Sequence, residues 1–318
     1  MSGPVRRAEI RLHERAGLDR CGEVVRLGVP LPRGFLPRDR VATMADAENR
    51  PLLCQSRVLS RWPDQSAKWL LVDFSVDIGA NAAAQVFVEP ARDSEPVGRA
   101  GVTVTPDADA VRVDTGAASF TVPRSGYLEV AADVDGRPLL EAQAMRLTLT
   151  DVNRRRLVGA VDELRVEEAG PVRATLVAGG RFVAGQDAAP LTFRARLMFR
   201  CGRRSVGIEL SIRNPQAAQH PGNLWDLGDP GSWLFTGLSL GLKPCGDVTR
   251  LKWQAEPGTA FESADAGPWV LYQDSSGGEH WDSSNHVDAH GRPTVTFPGF
   301  QVRRGDDGRV VSEGARAQ

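Results

Sequence analysis

The sequence predicts an all-β protein, with a small N-terminal barrel followed by a large antiparallel sandwich. Three observations carry that expectation. Short β-prone segments are separated throughout by Gly, Pro, Asp and Asn turns. No stretch of a dozen residues holds a helical period. Residues 191–199 alternate strictly, with Leu191, Phe193, Ala195, Leu197 and Phe199 facing one way and Thr192, Arg194 and Arg196 the other.

The first ninety residues contain several such short segments, at 9–13, 24–27, 41–44, 58–59, 68–77 and 85–89. Strands this short and closely spaced suit a small barrel. Pro30 and Pro32 offer no ladder hydrogen bond, so residues 29–34 read as an extended edge or loop. The best-marked feature is the corner at Pro63-Asp64-Gln65-Ser66, between the arms 58–59 and 69–72. Proline presets φ there, and aspartate bonds its own backbone. Trp62 and Trp69 are expected to fill the barrel core, with Arg61, Asp64 and Lys68 paired or solvated.

Residues 91–100 are polar, proline-containing and aperiodic, as a linker is. Strand signals then resume at 110–114, 119–122, 127–134 and 146–150, with Asp135-Gly136 a hairpin turn. Longer strands follow at 161–167, 172–182, 191–199 and 205–212. Val206, Ile208, Leu210 and Ile212 repeat the alternation after the Cys201-Gly202-Arg203-Arg204 turn. The expected organisation is a barrel over 1–90, a linker over 91–100, a sandwich over 101–303 and a polar tail over 304–318.

Composition removes several functions. The chain has 318 residues, with 39 basic and 40 acidic side chains. It has no cationic run to mark a nucleic-acid partner. No apolar stretch reaches the length of a membrane span or a signal peptide, so the expected compartment is the cytoplasm. The four cysteines are far apart, which gives no zinc or redox motif and favours buried thiols over disulfides.

Two polar loops hold the residue types that do chemistry. Residues 277–292 contain His280, His286 and His290 with Trp281, Asn285 and Arg292. The H-x5-H-x3-H spacing lacks the helical face of a metalloprotease, and neither a metal nor a cofactor is expected. Histidine titrates near neutrality and can move protons, asparagine both donates and accepts, and Trp281 can stack on a sugar ring. Residues 214–235 hold Asp226 and Asp229, a carboxylate pair whose simpler role is to form turns. No G-x-S-x-G elbow or phosphate loop is present.

Several stretches resemble one family. The run Val29-Pro30-Leu31-Pro32-Arg33-Gly34, Gln55, and Arg61-Trp62-Pro63-Asp64 through Lys68-Trp69 resemble the N-terminal RIFT-type barrel of rhamnogalacturonan exolyase-like (PcRGLX/YetA-like) proteins. Glu168 to Arg173, the Trp225 to Ser232 loop, and Gly277 to His286 resemble their central, supersandwich-like domain. Gln65 stands where the resemblance implies glycine. That requires either a negative φ or a left-handed residue costing roughly 1 kcal/mol.

The resemblance implies β-elimination on a uronic-acid-containing pectin backbone. Such chemistry needs a group to neutralise the carboxylate, a base for the C5 proton and an acid for the leaving oxygen. His286, His280 and Tyr272 are the catalytic candidates, and Asn285, Trp281, Arg292, Asp226 and Asp229 the substrate contacts. The family continues into an α/α-toroid that completes the cleft, whereas no helical repeat follows here. The first expectation is therefore an accessory portion of a polysaccharide lyase-like protein, silent alone and completed by a missing or separate toroid. The second is a carbohydrate-binding or scaffold module, and the third, least favoured, is a complete enzyme working through 277–292.

Overall fold

Strands of two to fourteen residues with one apolar face cannot stand alone, so they pair and then close face to face. The computed structural model describes residues 7–91, 101–140, 142–217, 231–254, 260–275, 280–282, 292 and 294–314. Among these every regular element is a strand, as the punctuation predicts. Two compact units divide the chain, Met1–Cys245 and Gly246–Gln318.

In the first unit, six strands build the barrel: β1 (Ala8–His13), β2 (Arg20–Pro30), β3 (Val41–Asp46), β4 (Cys54–Arg61), β5 (Ala67–Ile78) and β6 (Ala83–Ala91). They form two three-stranded sheets, in the orders β1-β6-β3 and β2-β5-β4. The core between them includes Val29, Met44, Leu70, Val72, Phe74, Val86 and Val88. β5 shows how sequence becomes surface. Its even positions Leu70, Val72, Phe74 and Val76 enter the core, which turns Trp69, Leu71, Asp73 and Ser75 to the opposite face. Pro30 ends β2, an edge strand, in keeping with its missing donor.

The corner at Pro63–Ser66 corrects one expectation. Trp69 is 43% exposed and Trp62 is half-buried, so neither fills the core. Trp62 Nε1 instead donates to Leu31 O at 2.9 Å, and Lys68 Nζ lies 4.7 Å from its ring centroid. Alternation explains the error, because Trp69 shares the non-core face of β5 with Asp73. The charges are paired as expected: Arg33 Nε donates to Asp64 Oδ2 at 3.0 Å, and Arg61 Nη1 donates to Gln65 O at 2.7 Å. Gln65 adopts φ +67°, so the turn keeps its left-handed geometry without glycine.

The sandwich uses β7 (Thr103–Pro106), β8 (Ala110–Asp114), β9 (Ser119–Pro123), β10 (Gly126–Tyr127), β11 (Ala131–Val134), β12 (Arg137–Leu140), β13 (Met145–Asp151), β14 (Arg156–Ala169), β15 (Arg173–Ala184), β16 (Asp187–Arg200), β17 (Val206–Arg213) and β18 (Phe235–Leu242). One sheet runs β17-β16-β15-β14-β13-β18, with β10 beside β14; the other runs β12-β11-β9-β8-β7. Their shared core holds Phe120, Leu147, Leu149, Leu176, Phe182, Leu197 and Phe199. The alternation at 191–199 emerges as the register Phe193↔Ile212 and Leu197↔Ile208 of the β16–β17 hairpin. Asp135 and Gly136 both take positive φ, 51° and 74°, as a two-residue hairpin turn requires.

The second unit carries β19 (Arg250–Trp253) paired with β20 (Glu262–Asp265), and a three-stranded sheet of β21 (Trp269–Gln273), β22 (Phe300–Arg304) and β23 (Val310–Gly314). β23 lies where the sequence suggests a polar tail. The β-branched pair Val310-Val311 and a turn at Gly308, φ +69°, let it fold back on β22. All four cysteines are free thiols, of which Cys201 is buried and Cys21 exposed.

Candidate functional site

The barrel and sandwich meet at a polar seam built by residues that are distant in sequence. Gln55 on β4 faces the connection between β14 and β15. Its Oε1 accepts the backbone N–H of Val172 at 3.0 Å and of Arg173 at 2.9 Å, and its Nε2 donates to Glu168 Oε1 at 3.2 Å. Arg26 on β2 reaches the same carboxylate with two hydrogen bonds, 3.0 and 3.1 Å. Gly170 is needed for this approach, since a Cβ there would sit 2.3 Å from Gln55 Oε1. Arg203 Nη2 adds a second tie, donating to Glu23 Oε2 at 2.9 Å and to the carbonyls of Cys21 and Gly22. Leu53 and Val24 of the barrel pack against the sandwich core.

Asp73 lies within the seam at 1% exposure. Its Oδ1 is 3.6 Å from Arg26 Nε and 4.0 Å from Arg173 Nη1, and it accepts no hydrogen bond. Burial pushes its pKa up, with Glu168 adding to the rise and Arg26 and Arg173 opposing it. Burial likewise lowers the pKa of Arg173, helped by Arg26 and opposed by Asp73 and Glu168. The cluster thus holds two cations and two anions away from water, and its first job is to fix the two bodies together.

The faces on either side of the seam are open. On the barrel sheet, register places Gly28, Leu71 and Arg57 in the row after Arg26, Asp73 and Gln55, and Pro30, Trp69 and Ser60 in the next. Arg57 is exposed and has no hydrogen-bond or ion-pair partner among the described residues. On the sandwich, the outward side of β14 to β17 carries a groove of about 540 Å³ whose lining includes Glu163, Arg165, Gly179, Arg194, Ser211 and Arg213. Glu163, Gly179, Arg194 and Ser211 stand side by side in register. Nothing lies within 4 Å of the point where a Gly179 Cβ would be, so the floor is open. Arg194 and Arg213 are exposed and unpaired among the described residues, whereas Arg196 is held by Glu167.

The second unit places part of the predicted site. Tyr272 on β21 donates its hydroxyl to Asp274 Oδ1 at 2.7 Å. That hydrogen bond, with the nearby charge, raises the tyrosine's pKa. Asp274 also accepts from the backbone and hydroxyl of Thr296; these bonds and the one from Tyr272 lower its pKa to about 2. Arg303 stands 5.3 Å from the Tyr272 ring and 5.1 Å from that of Phe297. His280 is exposed on a turn next to half-buried Trp281, and Arg292 is exposed. His286, Asn285, Asp226 and Asp229 lie outside the described residues.

The seam joins motifs that the sequence could show only one at a time, Gln55 with Glu168 to Arg173. The platform residues Trp69, Arg57, Asp73 and Arg26 were missed as a group. A signal was present in residues 69–76, where an aspartate interrupts an apolar run at a non-core position.

The fold and seam of the first unit define an all-β body, a small barrel clamped to a sandwich. Residues 12–90 match the family described as the PcRGLX-like N-terminal RIFT barrel domain, and residues 102–220 match the PcRGLX-like protein central beta sandwich domain. The chain belongs with the PcRGLX-like proteins through these two domains. Among curated proteins nothing matches it.

Proposed function

We propose that this chain is the glycan-engaging, non-catalytic portion of a polysaccharide lyase-like protein whose substrate is a uronic-acid-containing glycan such as rhamnogalacturonan. One observation supports the reading above others. Open sheet faces flanking a fixed seam carry guanidinium groups that are unpaired among the described residues, Arg57 on one side and Arg194 and Arg213 on the other. Guanidinium groups suit carboxylates because their planar forks pair with them in two parallel hydrogen bonds. β-Elimination further requires a base and an acid held at one carbon. Tyr272 fits that duty poorly while its hydroxyl is engaged by Asp274 and its pKa is raised. A helical toroid, on this polypeptide or another, is the proposed partner that would complete a cleft.

The second reading is a scaffold that binds no sugar. Calorimetric titration with oligogalacturonides and rhamnogalacturonan fragments separates the two, because a scaffold gives no heat. Ultraviolet absorbance of the same mixtures checks for turnover, and growth of the unsaturated-uronate band from this chain alone would overturn the non-catalytic assignment.

A further inference from the structure

The geometry points to the outward face of β2-β5-β4, centred on Trp69, as a subsite for a single acidic pyranose ring. This rests on the glycan-binding reading above and gives it an address. Trp69 stands between Pro30 and Ser60 in register and leans across the sheet. Its Cε3 and Cζ3 atoms would lie 3.7 and 3.8 Å from a Cβ at Gly28. A methyl group there would meet the ring at ordinary van der Waals distance, so the indole lies beside the Gly28 backbone. The indole leaves apolar surface to solvent, being 43% exposed.

A strand needs no tryptophan on a solvated face, since a threonine would serve pairing as well without exposing apolar area. An aromatic ring 43% exposed on a sheet face takes a partner that is itself flat and partly apolar. The C–H face of a pyranose meets that description.

Arg57 supplies the charge. It pairs with Leu71 in register, one row from Trp69 and on the same face. Its guanidinium is exposed and has no hydrogen-bond or ion-pair partner among the described residues. Of the neighbouring anions, Glu168 is held by Arg26 and Gln55, while Asp73, buried beside Arg26 and Arg173, feels the Arg57 charge without forming an ion pair with it. One ring platform with one free cation on the next row selects a ring bearing a single carboxylate, and half-buried Leu71 lies between them.

The test is calorimetric titration of the intact chain with trigalacturonate and with its methyl ester, which keeps the rings and removes the charge. Trp69→Ala is expected to weaken both ligands by roughly fivefold to tenfold, the loss of an aromatic contact. Arg57→Gln is expected to weaken the acid by about tenfold and leave the ester unchanged. Both side chains are exposed, so thermal melts should match the parent and exclude misfolding as the cause. If both variants bind as the parent does while Arg194→Gln/Arg213→Gln loses affinity, the ring sits on the sandwich groove. The Trp69 subsite is then overturned, and the glycan-binding function stands. If the parent binds neither sugar, both fall.

Discussion

Gln55 Oε1, on the barrel, accepts the backbone N–H of Arg173, on the sandwich, at 2.9 Å. The same oxygen takes the Val172 N–H, so one neutral side chain satisfies two donors at the turn between β14 and β15. Hydrogen bonds of this kind matter most through the cost of leaving them unmade.

Gln55→Ala is therefore expected to cost about 2 kcal/mol or more, because two amides lose their acceptor. Gly170→Ala should cost a comparable amount by driving a methyl group into the Gln55 amide. In the double variant Gln55→Ala/Gly170→Ala the methyl group finds space, so the two losses should sum to less than their separate values. Urea unfolding of the four proteins measures this, and strict additivity would show that the clamp is not shared.

A second backbone contact is tighter. A Cβ on Gly180 would lie 1.9 Å from Ala160 O, across the β14–β15 ladder at a register shift. Gly180→Ala must push these strands apart and should destabilise the chain by at least about 3 kcal/mol. Gly179→Ala, one residue away with open space above it, should be tolerated. Thermal unfolding of the pair gives the comparison, and equal melting temperatures would contradict the geometry.

Two barrel carboxylates should respond to acid with opposite signs. Burial raises the Glu14 pKa, but this is outweighed by the backbone N–H groups of Asn81, Ala16 and Leu18 and by Arg20, which bring it to about 2. Its folded value lies below the ordinary 4.5, so its stabilisation is present above pH 4.5 and is lost as pH falls towards 2. Glu14→Gln should lower stability at pH 7 and reduce the difference from the parent as the solution is acidified.

Asp73 behaves the other way. Burial raises its folded pKa, so the native state holds the proton more tightly than the unfolded chain. That contribution is full below the unfolded value of about 3.9 and disappears as pH rises through the folded one. On moving from pH 7 to pH 4 the parent should gain stability relative to Asp73→Asn. Chemical denaturation at each pH decides, and a parent that loses stability relative to Asp73→Asn on acidification would refute the assignment.

Among the described residues the edge at β18 is open, and it should make the chain self-associate. Leu238 and Leu242 are paired with the core residues Leu149 and Met145 on the same face, yet remain 40% and 53% exposed. An edge strand with an uncovered apolar face is a template for another chain. Light scattering is expected to show mass rising with concentration, and Leu238→Lys/Leu242→Lys to suppress the rise. A monomer at every concentration would remove the prediction.

Much of this architecture was legible because strand periodicity is local. The run at 191–199 declares its two faces through side-chain chemistry alone, and the β16–β17 register follows. Asp135-Gly136 declares its turn in the same way. Trp62 and Trp69 misled because hydrophobicity says that a side chain is apolar, while the face it occupies depends on the strand's phase. In β5 that phase is set by Leu70, Val72 and Phe74.

By itself, the sequence determined most of the strands and turns and the all-β class of barrel and sandwich, since each rests on neighbours in the chain. Only the tertiary structure decided that Gln55 would meet Val172 and Arg173, that Asp73 would be buried between two arginines, and that Trp69 would lie over Gly28 beside Arg57. Those relationships join residues on different strands, in part more than a hundred positions apart. Their energies come from desolvation and direct contact, which exist only once the two bodies have closed on each other.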